Sequence, residues 1–233
     1  MTQHDPQQDI WKQQVGEAAA ELVEGNMLVG LGTGSTANQF IRALGHRVQQ
    51  GLRIAGAVAS SQASHDLATS VGIPVADLDT YPELDIYVDG ADEIDPQLHL
   101  IKGAGGALLR EKIVATAARR FVVVADASKL VQRLGLLCPV PVEIVPFAVA
   151  PVRKHLEALG AVLTIRQRAG QTFITENHNL ILDCTFPDGI ADPVALDARL
   201  HAIVGVMETG LFLHMAKQAI VGGADGVHTI QPK

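Results

Sequence analysis

The chain has 233 residues, of which 48% are hydrophobic and 18% are charged, so it can form one large domain or a medium and a small one. Its net charge is −7 and no Lys/Arg tract stands out, which argues against a nucleic-acid-binding surface. No segment approaches the roughly 20 uninterrupted apolar residues of a transmembrane helix, and the polar N-terminus lacks the apolar region of a signal peptide. The two cysteines, Cys138 and Cys184, lie outside any C-x-x-C pair, so we expect a reduced, cytoplasmic protein.

Strands and helices alternate through the first half of the chain. The apolar spacing predicts a helix over 15–23, a strand at 27–29, a helix through 40–44, a strand at 54–58, a helix over 61–71, strands at 73–76 and 84–88, a helix over 108–118 and a strand at 121–124. Several of these strands are apolar throughout, which is typical of a parallel sheet covered on both faces. We therefore predict a Rossmann-like α/β fold with a mostly parallel sheet and helices on both faces.

The pattern changes near Gly135, where the stretch LLCPVPVEIVPFAVAP holds four prolines. A helix then runs to residue 160, and further elements are predicted as strands at 162–166, 171–175 and 180–182, a helix from 192 and a strand at 206–213. This order predicts a small α+β domain of ferredoxin-like type. The expected domains are residues 1–130 with 207–233 for the large one and 131–206 for the small one.

A glycine-rich stretch, GLGTGST from Gly30 to Thr36, follows the first predicted strand and opens a helix. In a parallel sheet, ligands bind beyond the carboxyl ends of the strands. Glycines let backbone N–H groups approach an anion, the helix N-terminus adds positive partial charge, and Thr33, Ser35 and Thr36 carry hydroxyl donors. The stretch predicts a phosphate site; the alternative is a tight turn with Ser/Thr capping. It lacks both G-x-G-x-x-G and G-K-[ST], so neither a dinucleotide site nor a P-loop is supported.

Four acids lie within seven residues after the strand at 84–88, namely Asp89, Asp92, Glu93 and Asp95. Asp89 and Asp92 suit proton transfer or the binding of sugar hydroxyls. The alternative is a solvated turn that caps the next element, which is the interpretation we favour for Glu93 and Asp95. A metal site is not expected, because the nine histidines are scattered and neither an H-E-x-x-H nor an EF-hand pattern is present.

A second glycine-rich turn, Lys102-Gly103-Ala104-Gly105-Gly106, opens the helix that carries Glu111. Lys102 could neutralise charge on an oxyanion. An inward-facing Glu111 would be a buried carboxylate suited to act as a base, but spacing alone favours an ordinary surface glutamate between Arg110 and Lys112. Lys129, after the strand at 121–124, either reaches a phosphate or is a surface lysine.

Together, the motifs GLGTGSTA, AVASS, YVDGADEID, KGAGGALLREK and ADASK closely resemble ribose-5-phosphate isomerase of the A type. The resemblance covers nearly the whole chain and includes the closing ADGVHTI. It implies the interconversion of D-ribose 5-phosphate and D-ribulose 5-phosphate without metal or organic cofactor. It also implies a homodimer or homotetramer.

The resemblance assigns roles residue by residue. It implies that Glu111 is the catalytic base, in contrast to the surface position that spacing favours, and that Asp89, Asp92 and Lys102 complete the catalytic set. The implied substrate-binding residues are Thr33, Gly34, Ser35, Thr36, Gly90, Ala91, Gly103, Ala104, Gly105, Lys129 and Lys12. Two alternatives are a non-catalytic sugar-phosphate sensor on the same fold and a deaminase of amino-sugar phosphates. Both are disfavoured by the intact set of Asp89, Asp92, Lys102 and Glu111.

Overall fold

The computed structural model describes residues 6–232; residues 1–5, which are part of the polar N-terminal segment, and Lys233 lie outside the described residues. The described chain separates into two compact units, one of residues 6–90, 110–129 and 215–232 and the other of residues 91–109 and 130–214. None of the helices between residues 6 and 232 has the length and apolar character that a membrane span requires.

Helices and strands alternate along most of the described chain. The α-helices are α1 (Pro6–Ala20), α2 (Ser35–Gln49), α3 (Gln62–Ser70), α4 (Leu108–Ala117), α5 (Val149–Ala158) and α6 (Pro193–His201). The strands are β1 (Leu28–Leu31), β2 (Gly56–Ala59), β3 (Val75–Ala76), β4 (Ile86–Asp89), β5 (Glu93–Ile94), β6 (Leu100–Ile101), β7 (Phe121–Asp126), β8 (Val140–Ile144), β9 (Val162–Ile165), β10 (Gln167–Arg168), β11 (Gln171–Thr172), β12 (Leu180–Thr185), β13 (Val206–Thr209), β14 (Leu211–Phe212), β15 (Ala216–Gly223) and β16 (Gly226–Ile230). Two 3₁₀ turns, Ala127–Lys129 and Pro146–Ala148, complete the set.

The first unit is built on a seven-stranded sheet in the order β16-β15-β7-β4-β1-β2-β3. Every neighbouring pair is parallel except β15 and β16, which form an antiparallel hairpin. Its core combines fully buried strand residues such as Val29 and Val122 with helix residues such as Phe40 and Leu44. The predicted Rossmann-like, mostly parallel sheet is thereby confirmed, and the carboxyl ends of β1, β4 and β7 lie at one edge of it.

The second unit contains a four-stranded antiparallel sheet in the order β13-β8-β12-β9. Counted in chain order, these are strands 4-1-3-2, with α5 after the first and α6 before the last, which is the predicted ferredoxin-like arrangement. Arg166 separates β9 from the small β10–β11 hairpin. A three-stranded sheet, β14-β6-β5, completes the unit.

The unit boundaries differ from the predicted ones, because residues 91–109 and 207–214 group with the second unit. Strand β6 pairs with both β14 and β5, and neither β5 nor β6 belongs to the large sheet. The predicted strand at 206–213 is divided at Gly210, whose N–H donates to the Pro141 carbonyl at 2.7 Å and whose carbonyl accepts from the Lys102 N–H at 2.9 Å. A Cβ on Gly210 would overlap the Lys102 carbonyl oxygen. Glycine at this position therefore allows the chain to pass from β13 of the four-stranded sheet to β14 of the three-stranded sheet.

Candidate active site

The glycines of the first loop, residues 30–36, make room for side chains of the neighbouring strand β4. A Cβ on Gly30 would lie 2.7 Å from the Tyr87 ring, and one on Gly32 would overlap the Asp89 carboxylate. Only Gly34 has a backbone that favours glycine, with φ at +113°, and it occupies the N-cap position of α2. Two of the three alternating glycines therefore serve packing against Tyr87 and Asp89.

The Thr33 hydroxyl is held by serines that follow β2. It donates to the Ser61 hydroxyl at 2.8 Å and lies 2.8 Å from the Ser60 hydroxyl. Ser64 donates in turn to the Gly32 carbonyl at 2.6 Å. Ser60 and Ser61 belong to the motif AVASS, but no site role was predicted for them from the sequence. Their contacts fix the shape of the first loop from within the first unit.

The N-terminus of α2 has the features of an anion site. Gly34 provides no side-chain cap, so the capping alternative does not describe this helix end. Among residues 6–232, the hydroxyls of Ser35 and Thr36 are not bonded to other side chains or backbone groups. The N–H groups of a first helical turn have no acceptors within the helix, and the helix dipole favours a negative ligand there.

A buried network ends strand β4. Asp89 is 0% exposed. Tyr87, two residues earlier and thus on the same face of the strand, donates its hydroxyl to Asp89 Oδ2. Asp89 Oδ1 accepts from the N–H groups of Thr33 at 2.9 Å and Gly90 at 2.7 Å. Burial and the negative charges of Asp89 and Glu111 raise the pKa of Tyr87 well above its usual value near 10. The contribution of Tyr87 was missed from sequence.

Glu111 is buried, with 3% of its surface exposed, so the surface location inferred from spacing is wrong. It lies in the first turn of α4, whose N-terminal end favours a negative charge. Its negative charge contributes to the raised pKa of Tyr87. The first unit thus contains three buried polar side chains, those of Tyr87, Asp89 and Glu111.

The second loop, residues 102–106, lies in the second unit. Lys102 is buried, and its Nζ lies 5.4 Å from the centroid of the Phe212 ring, a cation–π contact. Gly103 and Gly106 have φ of +109° and +86°, and the Gly106 N–H closes the turn on the Gly103 carbonyl at 3.0 Å. Asp92 Oδ2 accepts the Ala104 N–H at 2.9 Å. Asp92 therefore contacts the loop directly.

The two remaining acids of the cluster have structural roles. Glu93 is fully buried in β5, so the solvated-turn interpretation is wrong for it. Its carboxylate accepts three backbone N–H groups at 2.6–2.8 Å, those of Gly135, Leu137 and Cys138. Asp95 is a turn residue as predicted, although it is buried, and it accepts the N–H groups of Gln97 at 2.9 Å and His99 at 2.8 Å.

The two lysines of the predicted phosphate site lie on different elements of the first unit. Lys129 ends the 3₁₀ turn after β7 and is half-buried. In the same turn, the Ser128 N–H donates to the buried Asp126 carboxylate at 3.0 Å. Lys12 lies in α1 with its Nζ 3.7 Å from the Asp9 carboxylate. Between residues 6 and 232, no group of three or more His, Cys, Asp or Glu side chains is arranged to hold a metal ion.

Comparison with known proteins identifies the family. The model of the family described as ribose 5-phosphate isomerase A (phosphoriboisomerase A) matches residues 56–226. The chain belongs to this family. It is therefore an aldose–ketose isomerase, as the resemblance predicted, and neither a sensor nor a deaminase.

Similar proteins extend the match to nearly the full chain. A ribose-5-phosphate isomerase A of Roseiflexus sp. is 50% identical over 222 residues, covering 94% of both chains. The structure of ribose 5-phosphate isomerase from Plasmodium falciparum has a TM-score of 0.93 at 35% identity, covering 97% of this chain and 99% of the other. A D-ribose-5-phosphate isomerase in complex with phospho-erythronic acid has a TM-score of 0.91 at 39% identity, covering 94% and 97%.

Proposed function

We propose that Glu111 is the base that carries the proton in the interconversion of D-ribose 5-phosphate and D-ribulose 5-phosphate. This reaction needs one base that takes the proton from C2 of the aldose and returns it to C1, with an enediolate between the two transfers. The observation that supports Glu111 most directly is its burial in the first turn of α4. A positioned base contributes about 10²–10⁴-fold to such a rate.

The enediolate oxygens carry negative charge, and we assign their stabilisation to Lys102 and the N–H groups of the second loop. Asp92 orients the sugar hydroxyls. The phosphate is bound by the first loop and by the lysines, which holds the reacting carbons in register with the base. The proposed contacts of the substrate are Thr33, Gly34, Ser35, Thr36, Gly90, Ala91, Gly103, Ala104, Gly105, Lys129 and Lys12. The hydroxyl of Thr33 is engaged by Ser61, so we assign the hydroxyl contacts to Ser35 and Thr36 at the start of α2.

We assign the opening of the furanose ring to Asp89. Its carboxylate is 0% exposed and is bonded to Tyr87, Thr33 and Gly90. Ring opening through Asp89 therefore requires that one of these hydrogen bonds be exchanged for one to the sugar. In this step the Asp89 carboxylate takes the proton of the O1 hydroxyl as the C1–O4 bond breaks, and the ring oxygen O4 receives that proton.

The experiment that tests the base is Glu111→Gln. We expect kcat to fall by about 10²–10⁴-fold or more, while calorimetry detects near-normal binding of phospho-erythronic acid, because the amide keeps the shape of the side chain. Glu157→Gln, in an exposed position of α5, serves as the matched control and should keep its activity. Turnover of Glu111→Gln within tenfold of the parent enzyme would assign the proton transfer to another group. All assays are run with and without EDTA, and loss of activity in EDTA that a divalent ion restores would contradict a metal-free reaction.

We further propose that the enzyme is cytoplasmic and assembles as a homodimer or homotetramer. The supporting feature is an apolar groove of about 920 Å³ in the second unit, between α5 and the segment after α6. Phe147 and Val204, on its rim, are 98% and 93% exposed, and side chains of this kind are buried at obligate interfaces. Light scattering on the purified protein distinguishes the 24.7 kDa monomer from these multiples; a monomer at micromolar concentration would contradict the assembly.

A further inference from the structure

An arginine pair contacts the outer side of the second loop. Arg166, between β9 and β10, is bound to Asp183 of β12 by two hydrogen bonds, one from Nε to Oδ2 at 2.9 Å and one from Nη2 to Oδ1. The two side chains are 12% and 17% exposed. A bidentate arginine–carboxylate pair in this environment has a fixed geometry, so Asp183 sets the direction of the remaining nitrogen of Arg166.

That nitrogen, Nη1, forms hydrogen bonds with the second loop. Arg166 Nη1 donates to the Gly103 carbonyl and to the Ala104 carbonyl, the latter at 3.2 Å. Arg168 Nη2 donates to the Gly105 carbonyl at 3.1 Å, and its guanidinium lies 4.4 Å from the centroid of the Phe173 ring. Two arginines therefore bind three successive carbonyls. Glycines have the largest backbone freedom to lose, so a loop of this composition needs such external contacts to keep one shape.

The contacts also fix the direction of the loop's N–H groups. In a planar trans peptide, the C=O and N–H bonds point to opposite sides. The peptide between Gly103 and Ala104 follows this rule, since its carbonyl faces Arg166 and its N–H donates to Asp92 at 2.9 Å. The next peptide also turns its carbonyl to Arg166, and the N–H of Gly105 has no acceptor among residues 6–232. That N–H points away from the arginine and is available for a ligand oxygen.

We propose that Arg166, oriented by Asp183 and assisted by Arg168, is a positioning residue that aims the N–H groups of the second loop at the enediolate. The inference rests on the proposed role of this loop in stabilising the intermediate. Negative charge develops on the substrate oxygens only as the proton is removed. A misdirected N–H group therefore stabilises the transition state less well, while the binding of the substrate in its ground state changes little. The arginines do not touch the reacting atoms.

The test is a series of steady-state measurements on Arg166→Met, Arg166→Lys, Asp183→Asn and Arg168→Met, with Arg153→Met of α5 as the matched control. Removal of a single oxyanion donor typically costs about 10²–10³-fold in kcat, and a loosened donor costs less. We expect Arg166→Met to lower kcat by roughly 10- to 100-fold with KM changed by less than about threefold. Arg166→Lys, Asp183→Asn and Arg168→Met should give smaller losses in kcat with the same unchanged KM.

Inhibition by phospho-erythronic acid supplies a second measurement. Its carboxylate presents two oxygens with negative charge, as an enediolate does, so its Ki should rise in proportion to the fall in kcat across the series. Inorganic phosphate lacks these oxygens, and its Ki should stay constant. Equal kcat for all variants, or a loss explained by a lower folded fraction in circular dichroism, would overturn the positioning role. If Arg166→Met does not fold, Arg168→Met and Arg166→Lys decide the question. The Glu111→Gln result tests the base independently of this series.

Discussion

The two glycine-rich loops resemble each other in sequence and are held in opposite ways. The first loop is fixed by its own unit, because Gly30 and Gly32 fit against Tyr87 and Asp89 of the adjacent strand. The second loop is fixed by Arg166 and Arg168, which are distant along the chain and whose guanidinium groups bind its carbonyls. We propose that the first arrangement holds a helix N-terminus for the phosphate and that the second directs N–H groups at the enediolate. Similar composition therefore does not imply a similar source of rigidity.

The largest effect is expected from Gly32→Ala in the first loop. The new Cβ overlaps the Asp89 carboxylate, which three donors hold in place. Overpacking of a buried site costs about 1–3 kcal/mol, and we expect a loss at the upper end of that range, with most activity lost. Urea denaturation and kcat measure the two effects. The control is Gly25→Ala, where the nearest atom would be 3.8 Å away; equal stability of the two variants would show that close packing does not shape this loop.

A smaller effect is expected from Gly106→Ala in the second loop. The new methyl group overlaps the Phe173 ring, and φ at +86° is strained for alanine. Because the ring belongs to a half-buried side chain that can shift, we expect a loss of about 2 kcal/mol. Adding Phe173→Leu to the Gly106→Ala variant should restore the part of the lost stability that is due to overlap with the ring. The part that is due to backbone strain should remain. Strict additivity of the two changes in denaturation experiments would show that Phe173 does not restrain this glycine.

The smallest effect is expected from Tyr87→Phe, which removes the phenol donor from Asp89. Because Asp89 keeps the N–H groups of Thr33 and Gly90, the loss should be about 1 kcal/mol. The pKa of Tyr87 is raised in the folded state, so the stability that it contributes is complete below the unfolded pKa of about 10 and is lost as the pH rises above it. Urea denaturation from pH 8 to 11 should give a constant difference between the two proteins up to about pH 10 and a narrowing one above. A difference independent of pH would contradict the raised pKa.

Local patterns predicted the first unit well and the second less completely. Apolar runs between helical segments identify the strands of a parallel sheet, because burial on both faces leaves a signal in consecutive residues. Strand β8 lacks such a signal, since Pro141 interrupts it although it pairs with both β12 and β13. A proline cannot donate to the ladder, but the Pro141 carbonyl accepts the N–H of Gly210, the residue after β13.

The acid cluster also shows which features local patterns predict and which they do not. Its density predicted chemistry after β4, and the family resemblance predicted site roles for Asp89, Asp92 and Glu111. Spacing could not distinguish Asp89, which ends the large sheet, from Glu93, which anchors the backbone of residues 135–138. Both are buried carboxylates, and each accepts an N–H group from a residue more than 40 positions away along the chain.

The sequence by itself determined the alternating α/β order, the ferredoxin-like second unit, the two loops and the family. These follow from short-range patterns and motifs, which the chain carries locally. Only the tertiary structure decided that Glu111 faces inward and that Arg166 binds the loop. The first depends on which face of a helix is covered, and the second joins residues 63 positions apart. Neither the inward face of a single short helix nor a contact of that range leaves a periodic signal in the sequence.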